Sequence, residues 1–157
     1  MQIVKPSELE PEAPTEESGR QPCPSENAHL AATKDHFIQR DGIKFAGTHL
    51  LLDLWGAKNL DKIEIVESAM RECVDACGAT LLHIHLHHFS PSGGISGVAV
   101  LAESHISVHT WPERDYAAFD VFMCGDARPE NSIAVLKRAF FPQSLKVYEE
   151  LRGRTEQ

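Results

Sequence analysis

The chain has 157 residues, with 15 Lys and Arg against 23 Asp and Glu, a formal net charge of −8 and a hydrophobic fraction of 42%. The acidic surplus argues against broad binding along a nucleic acid backbone, and no stretch approaches the ~20 apolar residues that a membrane span requires. Residues 1–6 have no cationic start followed by an apolar run, so we expect no secretory signal.

An acidic, proline-rich segment comes first. Five of the nine prolines lie within the first 24 residues, and residues 1–26 hold six glutamates against Lys5 and Arg20. Few apolar side chains are available there to offset the entropy lost on ordering. We therefore expect a disordered arm over residues 1–40, either a passive solvated extension or a regulatory or docking segment, followed by a folded domain over residues 41–157.

The four cysteines have unmatched spacings: Cys23, Cys73, Cys77 and Cys124. This usage indicates reduced thiols in a cytoplasmic protein rather than a disulfide framework. Cys73 and Cys77 lie on the apolar stripe of a predicted helix, where a free cysteine packs as a small hydrophobic residue.

The first two elements of the domain have clear periodicities. Alternation predicts a strand over residues 46–55, with three leucines of residues 50–54 on its buried side. Steps of three and four predict an amphipathic helix over residues 60–77. Asp61 with Glu64 fits a capping box at its start, and Gly78 fits a left-handed stop at its end.

Strands dominate the rest of the domain. The patterns predict a strand over 80–89, a third extended stretch over 97–103 and 105–111, a strand over 117–123, a helix over 130–140 and a short strand over 145–150. The order β-α-β-β-β-α-β has few helices and many adjacent strands. It predicts an α+β fold, a two-layer sandwich of a mostly antiparallel sheet with helices on one face.

Three histidines alternate along one predicted strand. His83, His85 and His87 would share one face, about 6.5–7 Å apart at successive positions, which is close enough for two imidazoles to share a metal ion. The alternative is a polar sheet face or an oligomer interface that tolerates imidazole. No HExxH or CxxC pattern adds further ligands, so we expect no metal.

The glycine-rich segment over residues 93–97 superficially resembles a phosphate loop. It lacks the following Lys-Ser/Thr pair and leads into a strand rather than a helix. A tight turn with close backbone approach is the better interpretation.

Residues 102–113 bring Glu, Ser, His and Trp into one segment. Ser104 near His109 suggests nucleophilic chemistry, but no Gly-x-Ser-x-Gly elbow is present. A straight strand places positions five apart on opposite faces. Use of this histidine by Ser104 therefore requires a break in the strand near the Glu103–Ser104 bond.

The run GVAVLAESHISVHTWPE, followed by YAAFDVFMCG, resembles the signature of prokaryotic pyruvoyl-dependent S-adenosylmethionine decarboxylase proenzymes. The resemblance covers about residues 45–152. It implies that the chain cuts itself between Glu103 and Ser104 into a β chain of 1–103 and an α chain of 104–157. Ser104 would attack the carbonyl of Glu103, His109 would then remove the α-proton, and Ser96 would assist processing.

The same resemblance implies the roles of the mature site. Ser104 becomes the pyruvoyl group, which forms a Schiff base with the substrate amine and serves as the electron sink. Cys124 would return a proton to the α-carbon, Glu113 would bind the ribose hydroxyls and Phe89 would contact the adenine. Trp111 is expected to pack rather than bind. The family works as a homodimer of processed αβ protomers, so the resemblance implies the same assembly for this chain. From the composition we expect neither nucleic acid nor a membrane as a partner.

Three functions remain as hypotheses. The first is decarboxylation of S-adenosylmethionine, whose product donates the aminopropyl group in spermidine biosynthesis. The second keeps the fold and the pyruvoyl chemistry but acts on arginine or ornithine. The third is a non-enzymatic, histidine-rich metal-binding module. The acidic residue Glu113, useful for binding a ribose, favours the first.

Overall fold

Alternating leucines form the buried face of one strand of the sheet. Leu50, Leu52 and Leu54 are at most 4% exposed, because they share one face of strand β3 (Gly47–Trp55). The computed structural model describes residues 37–155. Cys23 and most of the predicted arm lie outside these residues.

Six strands form one antiparallel sheet. They are β3 (Gly47–Trp55), β4 (Leu81–His88), β5 (Ile95–Leu101), β6 (Ser104–Trp111), β7 (Tyr116–Cys124) and β8 (Ser144–Arg152). Their spatial order is β4-β5-β6-β7-β3-β8, and every neighbouring pair is antiparallel.

Two helices cover one face of this sheet. Helix α1 (Ile63–Cys77) buries Val66, Met70 and Cys73, and helix α2 (Ser132–Phe140) buries Leu136 and Phe140. These side chains join the inward residues of the strands in one apolar cluster. The predicted α+β sandwich is therefore confirmed. No helix in the described part of the chain is long and apolar enough to cross a membrane.

The sequence predicted the carboxyl end of α1 correctly and its amino end wrongly. Gly78 adopts the expected left-handed conformation, with φ 71°, and its N–H donates to the carbonyl of Asp75 at 3.1 Å. The predicted capping box is wrong, because Lys62 occupies the N-cap position and no side chain caps the helix. Asp61 lies in the preceding turn, one position too early to cap.

A small hairpin precedes the sheet. It consists of β1 (Ile38–Arg40) and β2 (Ile43–Phe45), which pair antiparallel. Asp41 and Gly42 form its two-residue turn, with φ 51° and 79°, as Asp-Gly hairpin turns do. Strand β1 thus occupies the last residues of the segment assigned to the arm, and this Asp-Gly signal was missed.

The second face of the sheet, here called the outer face, carries no helix from residues 37–155. Large apolar side chains on it are between 36% and 51% exposed: Leu51, Trp55, Val98, Val100, Trp111 and Tyr148. The three alternating histidines also lie on this face and are exposed. An apolar sheet face of this kind is typical of an interaction surface.

Candidate active site

The chain reverses direction immediately before Ser104. Leu101 lies opposite Ser104 in the β5–β6 register, so Ala102 and Glu103 form a two-residue turn. The predicted single extended stretch is wrong, because the segment forms two antiparallel strands. No Gly or Asn marks this turn in the sequence. Glu103 instead adopts φ 61°, a left-handed conformation that costs a non-glycine residue about 1–2 kcal/mol.

Cys124 contacts both sides of the Glu103–Ser104 bond. Its thiol donates to the carbonyl oxygen of Glu103 at 2.9 Å and lies 3.5 Å from Ser104 Oγ. Its backbone N–H donates to the same Ser104 hydroxyl at 3.3 Å. Cys124 reaches this position because it ends β7, adjacent to the start of β6.

A cavity of about 650 Å³ opens beside this bond. Glu103, Ser104, Cys124 and Asp126 line it, together with residues 37–39 at the start of the hairpin and residues 78–80 after α1. No Lys or Arg occurs among its described lining residues. Residues 78–80 follow the carboxyl end of α1, and the carboxyl end of a helix carries partial negative charge. Together with the carboxylates of Glu103 and Asp126, this charge favours a cationic ligand in the cavity.

A second group of the predicted residues gathers elsewhere on the sheet. Ser96 Oγ lies 2.8 Å from His109 Nδ1 across the β5–β6 pair. Phe89, Glu113 and Trp111 line the same cleft, whose volume is about 280 Å³. Each of these side chains can contact one small molecule bound there.

The glycine-rich turn fixes the position of this cleft. The N–H of Gly93, where φ is 73°, donates to the carbonyl of Phe89 at 2.8 Å. The N–H of Ile95 donates to Thr110 Oγ1 at 2.8 Å. The expected tight turn is therefore present, and it holds Phe89 beside β6.

The structure does not bring Ser104 and His109 together within one chain. Strand β6 runs without interruption from Ser104 to Trp111, so five residues separate the two by roughly 16 Å. Ser104 lies on the buried face of β6, whereas His109 lies on its exposed face. The expected break precedes Ser104 rather than following it, so it cannot bring this histidine to the serine.

Sequence reasoning missed an aromatic stack next to the cleft. Tyr116 lies between Trp55 and Trp111, with ring centroids 4.3 Å and 5.2 Å away. Its hydroxyl donates to Asp53 at 2.7 Å, and burial with this carboxylate raises the pKa of Tyr116 to about 12. Trp111 packs on this stack as expected, yet it is 40% exposed and also borders the cleft.

A polar cluster on the outer face was also missed. His49 Nε2 lies 3.6 Å from Oδ1 of Asp120. The other carboxylate oxygen, Oδ2, accepts a hydrogen bond from the Ser107 hydroxyl at 2.7 Å. Burial lowers the pKa of His49 despite this carboxylate. The three residues of this cluster are not adjacent in the sequence, so only the strand register could have revealed that they meet.

The alternative of a metal site finds no support in this geometry. Among residues 37–155, no group of three or more His, Cys, Asp or Glu side chains is placed to hold a metal ion. The three cysteines in this range are free thiols. Burial raises the pKa of Cys73, and it raises that of Cys77 to about 11, as expected of thiols that pack in the core.

Comparison with known proteins identifies the family. The family model described as S-adenosylmethionine decarboxylase matches residues 48–153. The chain belongs to the S-adenosylmethionine decarboxylase family. The match confirms the family recognised in the sequence and, with it, the prediction of a carboxy-lyase.

Several members of the decarboxylase family are similar over most of the domain. An S-adenosylmethionine decarboxylase proenzyme of Thermomicrobium roseum is 46% identical over 112 residues, which cover 71% of this chain and 97% of that protein. A proenzyme of the same name from Methanococcus maripaludis strain C7 is 46% identical over 114 residues, covering 71% and 93%. The crystal structure of the adenosylmethionine decarboxylase from Aquifex aeolicus VF5 superposes with a TM-score of 0.64 at 30% identity, covering 72% of this chain and 95% of that one. These similarities support S-adenosylmethionine rather than arginine or ornithine as the substrate.

Proposed function

We propose that this chain is a self-processing, pyruvoyl-dependent enzyme of the cytoplasm. It converts S-adenosylmethionine to its decarboxylated form, the aminopropyl donor for spermidine. The chain cuts itself between Glu103 and Ser104. The observation that carries this proposal is the left-handed turn at Glu103, whose carbonyl accepts the Cys124 thiol hydrogen bond.

The first step is attack of Ser104 Oγ on the carbonyl carbon of Glu103. A serine hydroxyl is a weak nucleophile, so the carbonyl must be polarised and its developing negative charge must be stabilised. The Cys124 thiol donates to that oxygen at 2.9 Å. The strained φ of Glu103 further favours a reaction that releases the turn. The peptide C–N bond breaks as the ester forms, which leaves a free amine on residue 104.

The second step removes the α-proton of residue 104. We assign this to His109, whose Nδ1 lies 2.8 Å from Ser96 Oγ. In the tautomer in which Nδ1–H donates to that hydroxyl, Nε2 carries the lone pair that accepts the proton. Loss of that proton expels the carboxylate of Glu103 and leaves dehydroalanine. Hydrolysis with loss of ammonia then yields the pyruvoyl group at the start of the α chain.

Because His109 and Ser104 of one chain lie about 16 Å apart on opposite sides of β6, we assign the base to a second copy. A homodimer with facing sheets would bring the Ser96–His109 cleft of one protomer to the Ser104–Cys124 cavity of the other. The exposed apolar side chains of the outer face, including Leu51 and Val98, suit this contact.

The completed site suits both halves of the substrate. When formed, the pyruvoyl group supplies the electron sink that decarboxylation of an α-amino acid requires. We assign the return of a proton to the α-carbon to Cys124, whose thiol lies 3.5 Å from Ser104 Oγ. The acidic cavity favours the cationic sulfonium. Glu113 and Phe89, in the cleft, would bind the ribose hydroxyls and the adenine.

Mixing two inactive variants tests the composite site. Ser104→Ala and His109→Ala are each expected to remain uncut when produced alone. Co-produced, they form mixed dimers in which one site has both residues intact, and about half of the His109→Ala chain should be cut. Cleavage of the His109→Ala chain alone, or none in the mixture, would contradict the proposal.

The substrate is tested by release of carbon dioxide. The cut enzyme should release it from S-adenosylmethionine and not from arginine or ornithine supplied at equal concentration. Preference for either amino acid would overturn the assignment of the substrate while leaving self-cleavage intact.

A further inference from the structure

We propose that the β1–β2 hairpin is a wall of the substrate cavity and that Phe37 and Ile38 contact the methionyl portion of S-adenosylmethionine. This inference rests on the proposed function of the Glu103–Ser104 bond. It adds two specificity-determining residues outside residues 48–153, the part of the chain that the family model matches.

The cavity itself carries the argument. Residues 37–39 line the same space of about 650 Å³ as Glu103, Ser104 and Cys124. The hairpin therefore borders the residue that becomes the reactive carbonyl. Because Ile38 is half-buried and Phe37 is 42% exposed, both retain surface that a ligand can cover.

The hairpin is held firmly enough to act as a wall. Phe45, its last residue, is fully buried. The N–H of Thr155 donates to the carbonyl of Lys44 at 2.9 Å. Arg40 forms an ion pair with Glu149 of β8. These contacts join both strands of the hairpin to the carboxyl-terminal part of the domain.

The chemistry of the reaction decides which portion of the substrate lies there. The α-amine must reach residue 104, so the Cβ and Cγ methylenes and the sulfonium are the next groups along the ligand. Contact with an apolar side chain such as Ile38 removes these methylenes from water, which stabilises the bound substrate. A sulfonium is attracted both to the carboxylate of Asp126 and to an aromatic face. The Phe37 ring already attracts Lys44, whose Nζ lies 5.4 Å from its centroid.

Two matched substitutions on the hairpin provide the test. Ile38→Ala removes a side chain that lines the cavity, whereas Ile43→Ala removes the same side chain from a position that does not line it. We expect Ile38→Ala to raise the KM for S-adenosylmethionine about tenfold, with unchanged kcat and unchanged cleavage into two chains. Ile43→Ala should leave KM, kcat and cleavage at wild-type values.

Milder variants keep the test informative if Ile38→Ala fails to fold. Ile38→Val should raise KM about twofold, and Phe37→Leu should raise it about threefold, because the aromatic face is lost while apolar contact remains. Equal KM values for the Ile38 and Ile43 variants would overturn the inference, as would slower cleavage of the Ile38 variants with an unchanged KM for the chains that are cut. Failure of the wild-type chain to cut itself would instead refute the proposed function, so the two failures are distinguishable.

Discussion

The left-handed turn at Glu103 provides a direct test of backbone strain in the cleavage reaction. Glycine adopts positive φ without the Cβ clash that a glutamate has, so Glu103→Gly should relieve the strain before cleavage rather than during it. With φ at 61°, the strain is about 1–2 kcal/mol. If most of this strain energy is released as the ester forms, Glu103→Gly should slow cleavage about five- to thirtyfold.

Glu103→Ala is the matched control for this substitution. Alanine keeps the Cβ and therefore the strain, but it lacks the carboxylate, as glycine does. The assay follows the appearance of the α chain by denaturing electrophoresis after refolding of the uncut protein. We expect Glu103→Ala to be cut at least about fivefold faster than Glu103→Gly. Equal rates, or a faster glycine variant, would refute a role for strain.

Three further substitutions test separate parts of the structure. Cys124→Ala removes the donor to the scissile carbonyl and should slow cleavage about tenfold or more, as measured by the same electrophoresis; wild-type rates would exclude this role. Gly97→Ala would place a Cβ 2.3 Å from a methyl carbon of Leu86, so the free energy of unfolding in urea should fall by about 2 kcal/mol, and no change would mean that β4 shifts at no cost. Burial lowers the pKa of His49 from 6.5, so this imidazole binds a proton more readily in the unfolded state than in the folded state. The free energy of unfolding should therefore fall as the pH drops below 6.5. His49→Asn should flatten this dependence between pH 7 and pH 5 at fixed protein concentration, and an unchanged slope would contradict the assignment.

The sequence predicted the layers of the fold because its central elements have strong periodicities. The alternation of Leu50, Leu52 and Leu54 has one physical solution, a strand with a single buried face. Local signals were less reliable at the ends of elements. Asp61 fits a capping pattern, yet the helix begins two residues later, at Ile63, because packing of the apolar stripe decides where the helix begins.

The candidate site was harder to predict for a different reason. The motif identified Ser104, Cys124 and His109, but it holds no information on distances between them. The turn at Glu103 has no glycine to signal it, and the uninterrupted β6 puts the histidine out of reach of the serine in the same chain. The division of the site between two copies that we propose cannot be recognised from the spacing of residues in one sequence.

Every step of the proposed function depends on self-cleavage at a single bond, which mass spectrometry of the purified protein under denaturing conditions detects. We expect two chains, residues 1–103 and 104–157, with the second blocked to Edman degradation because it begins with a ketone instead of an amine. A single intact chain of 157 residues would rule out self-cleavage.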